Sequence, residues 1–150
     1  MAKVPRTIHA ILPTYQRDRR KWRRDILENV HRSACAAGVE YGGDDCLEVV
    51  VLLYLKRGKQ QAIHDVDNRL KDVLDSLQGR FGSERTIGEE YRLIANDNQI
   101  CRVLIEKQPI PKRFRSDATN AGGRLLIRPY KKCGWPLQVT KGNRLLKRSK

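Results

Sequence analysis

Residues 47–55 read LEVVVLLYL, a nearly unbroken apolar run dense in valine. A run this short and this β-branched forms a strand. Apolar residues at consecutive positions place it inside a sheet, covered on both faces. Such a strand needs neighbours. TIHAIL at 7–12, followed by Pro13, reads as one. QICRVLIEKQ at 99–108, ended by Pro109 and Pro111, reads as another, and GGRLLIRPY at 122–130 as a last strand after a Gly-Gly turn.

Two helical patterns lie between these strands. Over 18–37, Trp22, Ile26, Val30 and Ser33–Ala34 form an apolar stripe, and Gly38 suits the end of the helix. Over 68–78, Leu70, Val73, Leu74 and Leu77 form a second stripe, with Asp67 as N-cap and Gly79 just past the end. On this reading Asn68, Lys71, Asp72 and Asp75 fall on the opposite, solvated side. YGGDD at 41–45 is a turn, KRGKQQ at 56–61 a basic connection, and 79–97 a long loop. The order predicts an α/β (α+β) fold, a small mixed sheet of about four strands with two main helices.

Charge is the strongest global property. The 150 residues carry 31 Lys+Arg against 17 Asp+Glu, a formal net charge of +14. That balance points to a partner rich in phosphates. The excess is uneven. RDRRKWRR at 17–24 supplies Arg19, Arg20, Lys21, Arg23 and Arg24 as candidate DNA contacts. Residues 131–150 hold Lys131, Lys132 and five further basic residues, with no acid, and form a basic extension after a domain spanning 1–130. Trp22 reads as core rather than as a ring stacked on a base. No apolar run reaches the roughly 18 residues of a membrane span, so no membrane partner is expected. The opening MAKVPRTIHA lacks an apolar signal core, so secretion is not expected either. Cys35, Cys46, Cys101 and Cys133 show no CxxC pair and no zinc spacing. They read as reduced thiols, with Cys101 a buried strand residue.

Against this basic background, IHDVDNRLKDVLDSL at 63–77 places four aspartates within eleven residues. If the segment before the helix is extended, Asp65 and Asp67 point the same way. Two such carboxylates repel unless a cation sits between them, and hard cations such as Mg²⁺ prefer carboxylate oxygens. Asp97, in IANDNQI ahead of the third strand, is a candidate third ligand. The alternatives stay open: Lys71 and Asp75 as an i, i+4 pair on a wet face, Asp67 as a cap, and Asn96-Asp97-Asn98 as an ordinary turn. His64 reads as a neighbour of the cluster rather than a ligand.

The constellation Asp65-x-Asp67-Asn68-x-x-Lys71-x-x-x-Asp75-x-Leu77 resembles the signature of the RusA family of Holliday junction resolvases. Asn96-Asp97-Asn98-Gln99-Ile100 stands where that family has Asp-Asp-x-x-Ile/Val opening a strand, with Asn96 replacing the first Asp. Gly122-Gly123-Arg124-Leu125 is similar to a turn before the family's last strand. The resemblance covers roughly 4–130. It implies a homodimeric, Mg²⁺-dependent (Mn²⁺ being the alternative ion) endodeoxyribonuclease that nicks four-way junction DNA, acting in the cytoplasm of a bacterium or encoded by its phage. Carried over by position, it implies Asp65, Asp67 and Asp97 as metal ligands, Lys71 as a phosphate-contacting or base-positioning cation, and Asp75 as an orienting acid. Phe81 is a candidate wedge at the junction centre. Two other readings stand beside it: a non-catalytic basic nucleic-acid binder, and a nuclease of the same chemistry acting on forks, flaps or RNA.

Overall fold

The computed structural model describes residues 6–55, 65–82, 91–114 and 121–131. Their elements run β1 (Ile8–Pro13), α1 (Arg19–Ala37), β2 (Leu47–Leu55), α2 (Val66–Leu77), β3 (Ile100–Pro109) and β4 (Ala121–Pro129), with short 3-10 turns at Asp97–Gln99 and Lys112–Phe114. The four strands form one mixed sheet in the order β1-β4-β2-β3. β2 and β3 are parallel, while β4 is antiparallel to both β1 and β2. The small α+β class expected from the sequence is the one observed.

Both helices serve one face. Ile8, Ala10 and Leu12 of β1, Leu47, Val49, Val51 and Leu53 of β2, and Leu125 and Ile127 of β4 alternate onto that face. There they meet Trp22, Ile26, Val30 and Ala34 of α1 and Val73 and Leu77 of α2. Asp18 starts α1 by accepting from the Lys21 amide at 3.2 Å, and Gly38 ends it with φ +64°, a left-handed conformation that suits glycine. Trp22 is core: its ring is 1% exposed and its indole N–H donates to the Pro13 carbonyl at 3.0 Å.

β2 is interior, as its composition predicts, but the described helices cover only one of its faces. On the other face Val50 and Leu52 are half-buried, whereas Glu48 and Tyr54 are buried. The register aligns His9, Leu126, Val50 and Leu104 across that second face, with Arg128, Glu48 and Arg102 in a neighbouring row.

Three details differ from the sequence reading. First, α2 is capped by Asp65 rather than Asp67, and begins at Val66. Second, Gly122 and Gly123 are not a turn. They lie inside β4 beside a register shift in the β1–β4 pairing. A Cβ on Gly123 would collide with the Leu52 carbonyl oxygen, and one on Gly122 with that of Pro13. The glycines are there for close backbone approach. Third, Cys46 and Cys101 are joined by a disulfide with their Cα atoms 5.8 Å apart, a spacing such a bond accepts. Cys101 is half-buried and occupies the irregularity where Leu47 pairs with Ile100 but Glu48 with Arg102. That extra residue brings the two sulfurs together. Cys35 is a free thiol, and Cys133 lies outside the described residues.

Gly123→Ala is expected to destabilise the fold by about 2 kcal/mol or more through overpacking, read by urea denaturation. Gly43→Ala, with open space around the new methyl, serves as the near-neutral control. The disulfide closes a separation of 55 residues, so reducing it is expected to remove up to about 4 kcal/mol. Cys101→Ser protein is expected to melt identically with and without reductant.

Candidate active site

The first two turns of α2 carry the expected motif on the surface. Asp65 accepts from the Asp67 amide at 3.2 Å and from the Asn68 side-chain amide at 2.8 Å. It thereby satisfies an N–H that the helix start would leave without a partner. Asp65, Asp67 and Lys71 are all exposed. Within this short span the chain offers carboxylate oxygens suited to a hard cation and an ammonium suited to a phosphate.

Asp72 does not face water. It is 0% exposed and stands among three guanidinium groups. Arg19 donates to it through Nη2 at 2.8 Å and Nε at 3.1 Å, Arg23 through Nε at 2.9 Å, and Arg69 through Nη1 at 2.7 Å. Hydrogen bonding to Asp72 raises the Arg19 pKa above its ordinary value, against the opposing effect of desolvation. Arg69 is buried and lies 3.7 Å from the centre of the Tyr15 ring, so its face is held by the aromatic π system. Arg23 also reaches Asp75 at 3.2 Å, and its backbone carbonyl accepts from Ser76 Oγ at 2.6 Å. The buried residues of α2 are Arg69, Asp72, Val73, Ser76 and Leu77, while Leu70 and Leu74 are only half-buried. The helix is thus turned by nearly one residue from the orientation its leucines predict. Ion pairing to α1 sets that rotation.

Pairing and exposure distinguish the other candidate residues. Arg19 and Arg23 pair with Asp72, the Arg19 side chain staying 44% exposed and that of Arg23 12%. Asp75 is engaged by Arg23. Arg20, Lys21 and Arg24 remain exposed along α1, and Lys131 is exposed after β4. Phe81 is 7% exposed under the Arg24 guanidinium, buried and not free to wedge between bases. Lys132 and His64 lie outside the described residues.

Asp97 stands apart from the other acids. β3 begins beside the start of β2, with Ile100 paired to Leu47. α2 runs between the far end of β2 and this end. Its last carbonyl, Leu77, accepts from the amides of Leu93 at 2.9 Å and Ile94 at 3.2 Å. The segment bearing Asp97 is therefore tied to the C-terminal end of α2, whereas Asp65 caps the N-terminal end. The 12-residue helix between them is about 18 Å long. Asn96 closes a local turn by accepting from the Asn98 amide at 2.9 Å, and Asp97 is exposed on it. Buried Gln99 fixes that turn, donating to the Gly42 carbonyl at 2.7 Å and accepting from the Ala95 amide at 2.8 Å. The Arg6 guanidinium and then the Gly42 amide hold the neighbouring Asp45 carboxyl below the usual range. Among the described residues, no three His, Cys, Asp or Glu side chains are grouped to hold a metal ion. In this arrangement Asp97 is not grouped with Asp65 and Asp67.

The Asp72 cluster was missed because its partners lie 49 and 53 residues away. The signal available was Arg69 three residues before it on the same helix. Asp72→Asn is expected to cost about 3–5 kcal/mol, since it leaves buried guanidinium charge unmatched. Lys71→Ala, at an exposed position, is expected to stay within about 0.5 kcal/mol. Urea denaturation of the two variants separates these outcomes.

The sequence matches no known protein-family model and no curated protein.

Proposed function

We propose that the protein is a metal-dependent endodeoxyribonuclease of branched DNA, acting as a homodimer in the manner implied by its resemblance to the RusA resolvases. The observation that carries this reading is the exposed trio of Asp65, Asp67 and Lys71 at the start of α2, set in a chain of net charge +14. Basic residues suit the phosphate backbone and acids suit the cation that acts on it. Exposed Arg20, Lys21 and Arg24 are the duplex contacts on this reading, acting through phosphates rather than bases.

The separation of Asp97 from Asp65 and Asp67 is what supports a dimer on this reading. Two copies related by a two-fold axis across α2 would lay their helices antiparallel. Half-buried Leu70 and Leu74 would meet between them. The N-terminal end of each α2 would then face the C-terminal end of the other, and so face the Asp97 turn of the other copy. Each site would take Asp65, Asp67 and Lys71 from one chain and Asp97 from the second. Mg²⁺ held there would supply a bound water of lowered pKa and neutralise charge at phosphorus. Lys71 would hold the scissile phosphate, and the Arg23–Asp75 pair would keep that turn of the helix in place. A two-fold pair of sites matches the approximate two-fold symmetry of a four-way junction.

The test mixes inactive chains. Asp67→Asn and Asp97→Asn proteins, each alone, are expected not to nick a labelled four-way junction in Mg²⁺. Refolded together, they form mixed dimers with one intact composite site, and single nicks are expected to return. Continued silence of the mixture, with wild-type protein active, would place all the acids of a site in one chain. If wild-type protein binds the junction and cuts no DNA with Mg²⁺ or Mn²⁺, the nuclease reading fails. The non-catalytic basic binder, favoured by the dispersal of the acids within one chain, takes its place.

A further inference from the structure

The sheet face opposite the helices carries an aliphatic band that no described helix covers. Leu104 is 45% exposed and Ile11 46%, with half-buried Val50 and Leu126 between them. Two half-exposed arginines border the band: Arg102 at 57% and Arg128 at 49% side-chain exposure. They share one buried carboxylate, Glu48, at 3.3 Å and 2.5 Å. Two cations over one anion leave a net positive charge beside the band, and half-exposed Arg124 adds to it from the next row. Glu106 sits at the β3 edge of the same face.

We propose that this face docks an acidic, apolar-bearing peptide segment of a protein partner. Its aliphatic side chains lie on Leu104, Val50 and Leu126, and its carboxylates on Arg102, Arg128 and Arg124. Charge decides among the occupants. A second copy would press basic rims together on a chain of net charge +14. The chain's own residues 131–150 contain seven Lys/Arg and no acid, so they repel the same rim. Nucleic acid would meet the arginines through its phosphates, but a phosphate backbone gains nothing from the aliphatic Leu104, Val50 and Leu126 between them. An acidic peptide satisfies both the rim and the floor. Because the face lies across the sheet from α2, docking there is independent of chemistry at Asp65, Asp67 and Lys71.

A phage-displayed random peptide library panned against the full chain tests this, with recovered peptides synthesised and titrated by fluorescence anisotropy. Enrichment of Asp/Glu interleaved with Leu, Ile or Phe is expected, with affinity falling about tenfold or more in Leu104→Ser and in Arg102→Gln. Circular dichroism melts confirm that the variants are folded. If Leu104→Ser unfolds, Arg102→Gln decides the question. No enrichment overturns the proposal. So does enrichment of acidic peptides whose affinity both variants leave unchanged, since that is general attraction to a basic chain. Two further results assign the face elsewhere and overturn it as well. One is loss of duplex DNA binding in both variants without peptide binding. The other is a concentration-dependent dimer, seen by sedimentation, that Leu104→Ser dissolves.

Discussion

A single carboxylate, Asp72, holds the arrangement of the two helices. It is wholly buried and accepts from arginines on α1 and on α2. Removing water from Asp72, Arg69 and most of Arg23 is costly, and the cost is offset only because the guanidiniums meet the carboxylate oxygens at hydrogen-bonding distance. The consequence is directional. Leucine packing alone tolerates small rotations of a helix, whereas a buried ion cluster does not. With Asp72 turned into α1, the surface of α2 is left to Asp67 and Lys71, Leu70 and Leu74 lie half-buried at the edge of the core, and Asp65 is left at its N-terminus. The candidate chemistry is exposed because its neighbour is buried.

The second constraint is the anchoring of the Asp97 turn. Gln99 ties it to the Gly42–Asp45 loop ahead of β2, a loop that Arg6 holds through Asp45, and the disulfide at Cys46–Cys101 closes the same end of the sheet. The turn is thus a built feature rather than a loose connection. Its distance from Asp65 follows from the parallel pairing of β2 and β3, which forces α2 to span the sheet between them. Any site that needs both acids inherits that geometry.

The architecture was legible in the sequence because it rests on local patterns. The short segments 7–12, 99–108 and 122–130 bounded by proline or a Gly-Gly pair, the apolar run at 47–55, and the Trp22-Ile26-Val30 stripe each state their element without help from distant residues. What was not legible depended on contacts between distant residues. Asp72 looks like a solvated acid until Arg19 and Arg23 are placed beside it. Gly122 and Gly123 look like a turn until the Leu52 and Pro13 carbonyls are seen against them. Cys46 and Cys101 look unrelated until a bulge aligns them. In the candidate site, the exposure of Lys71 followed from the helical pattern, while the position of Asp97 required the strand order.

That strand order carries a consequence for synthesis. β4, the last of the described strands, is inserted between β1 and β2 and pairs with both. Until residues 121–129 leave the ribosome, β1 has no partner and β2 has one bare edge. The nascent chain therefore holds hydrophobic strand edges unpaired until β4 is made, the condition under which chaperones are recruited. A chain cut short before β4 would have neither the platform for α1 and α2 nor a positioned acidic motif.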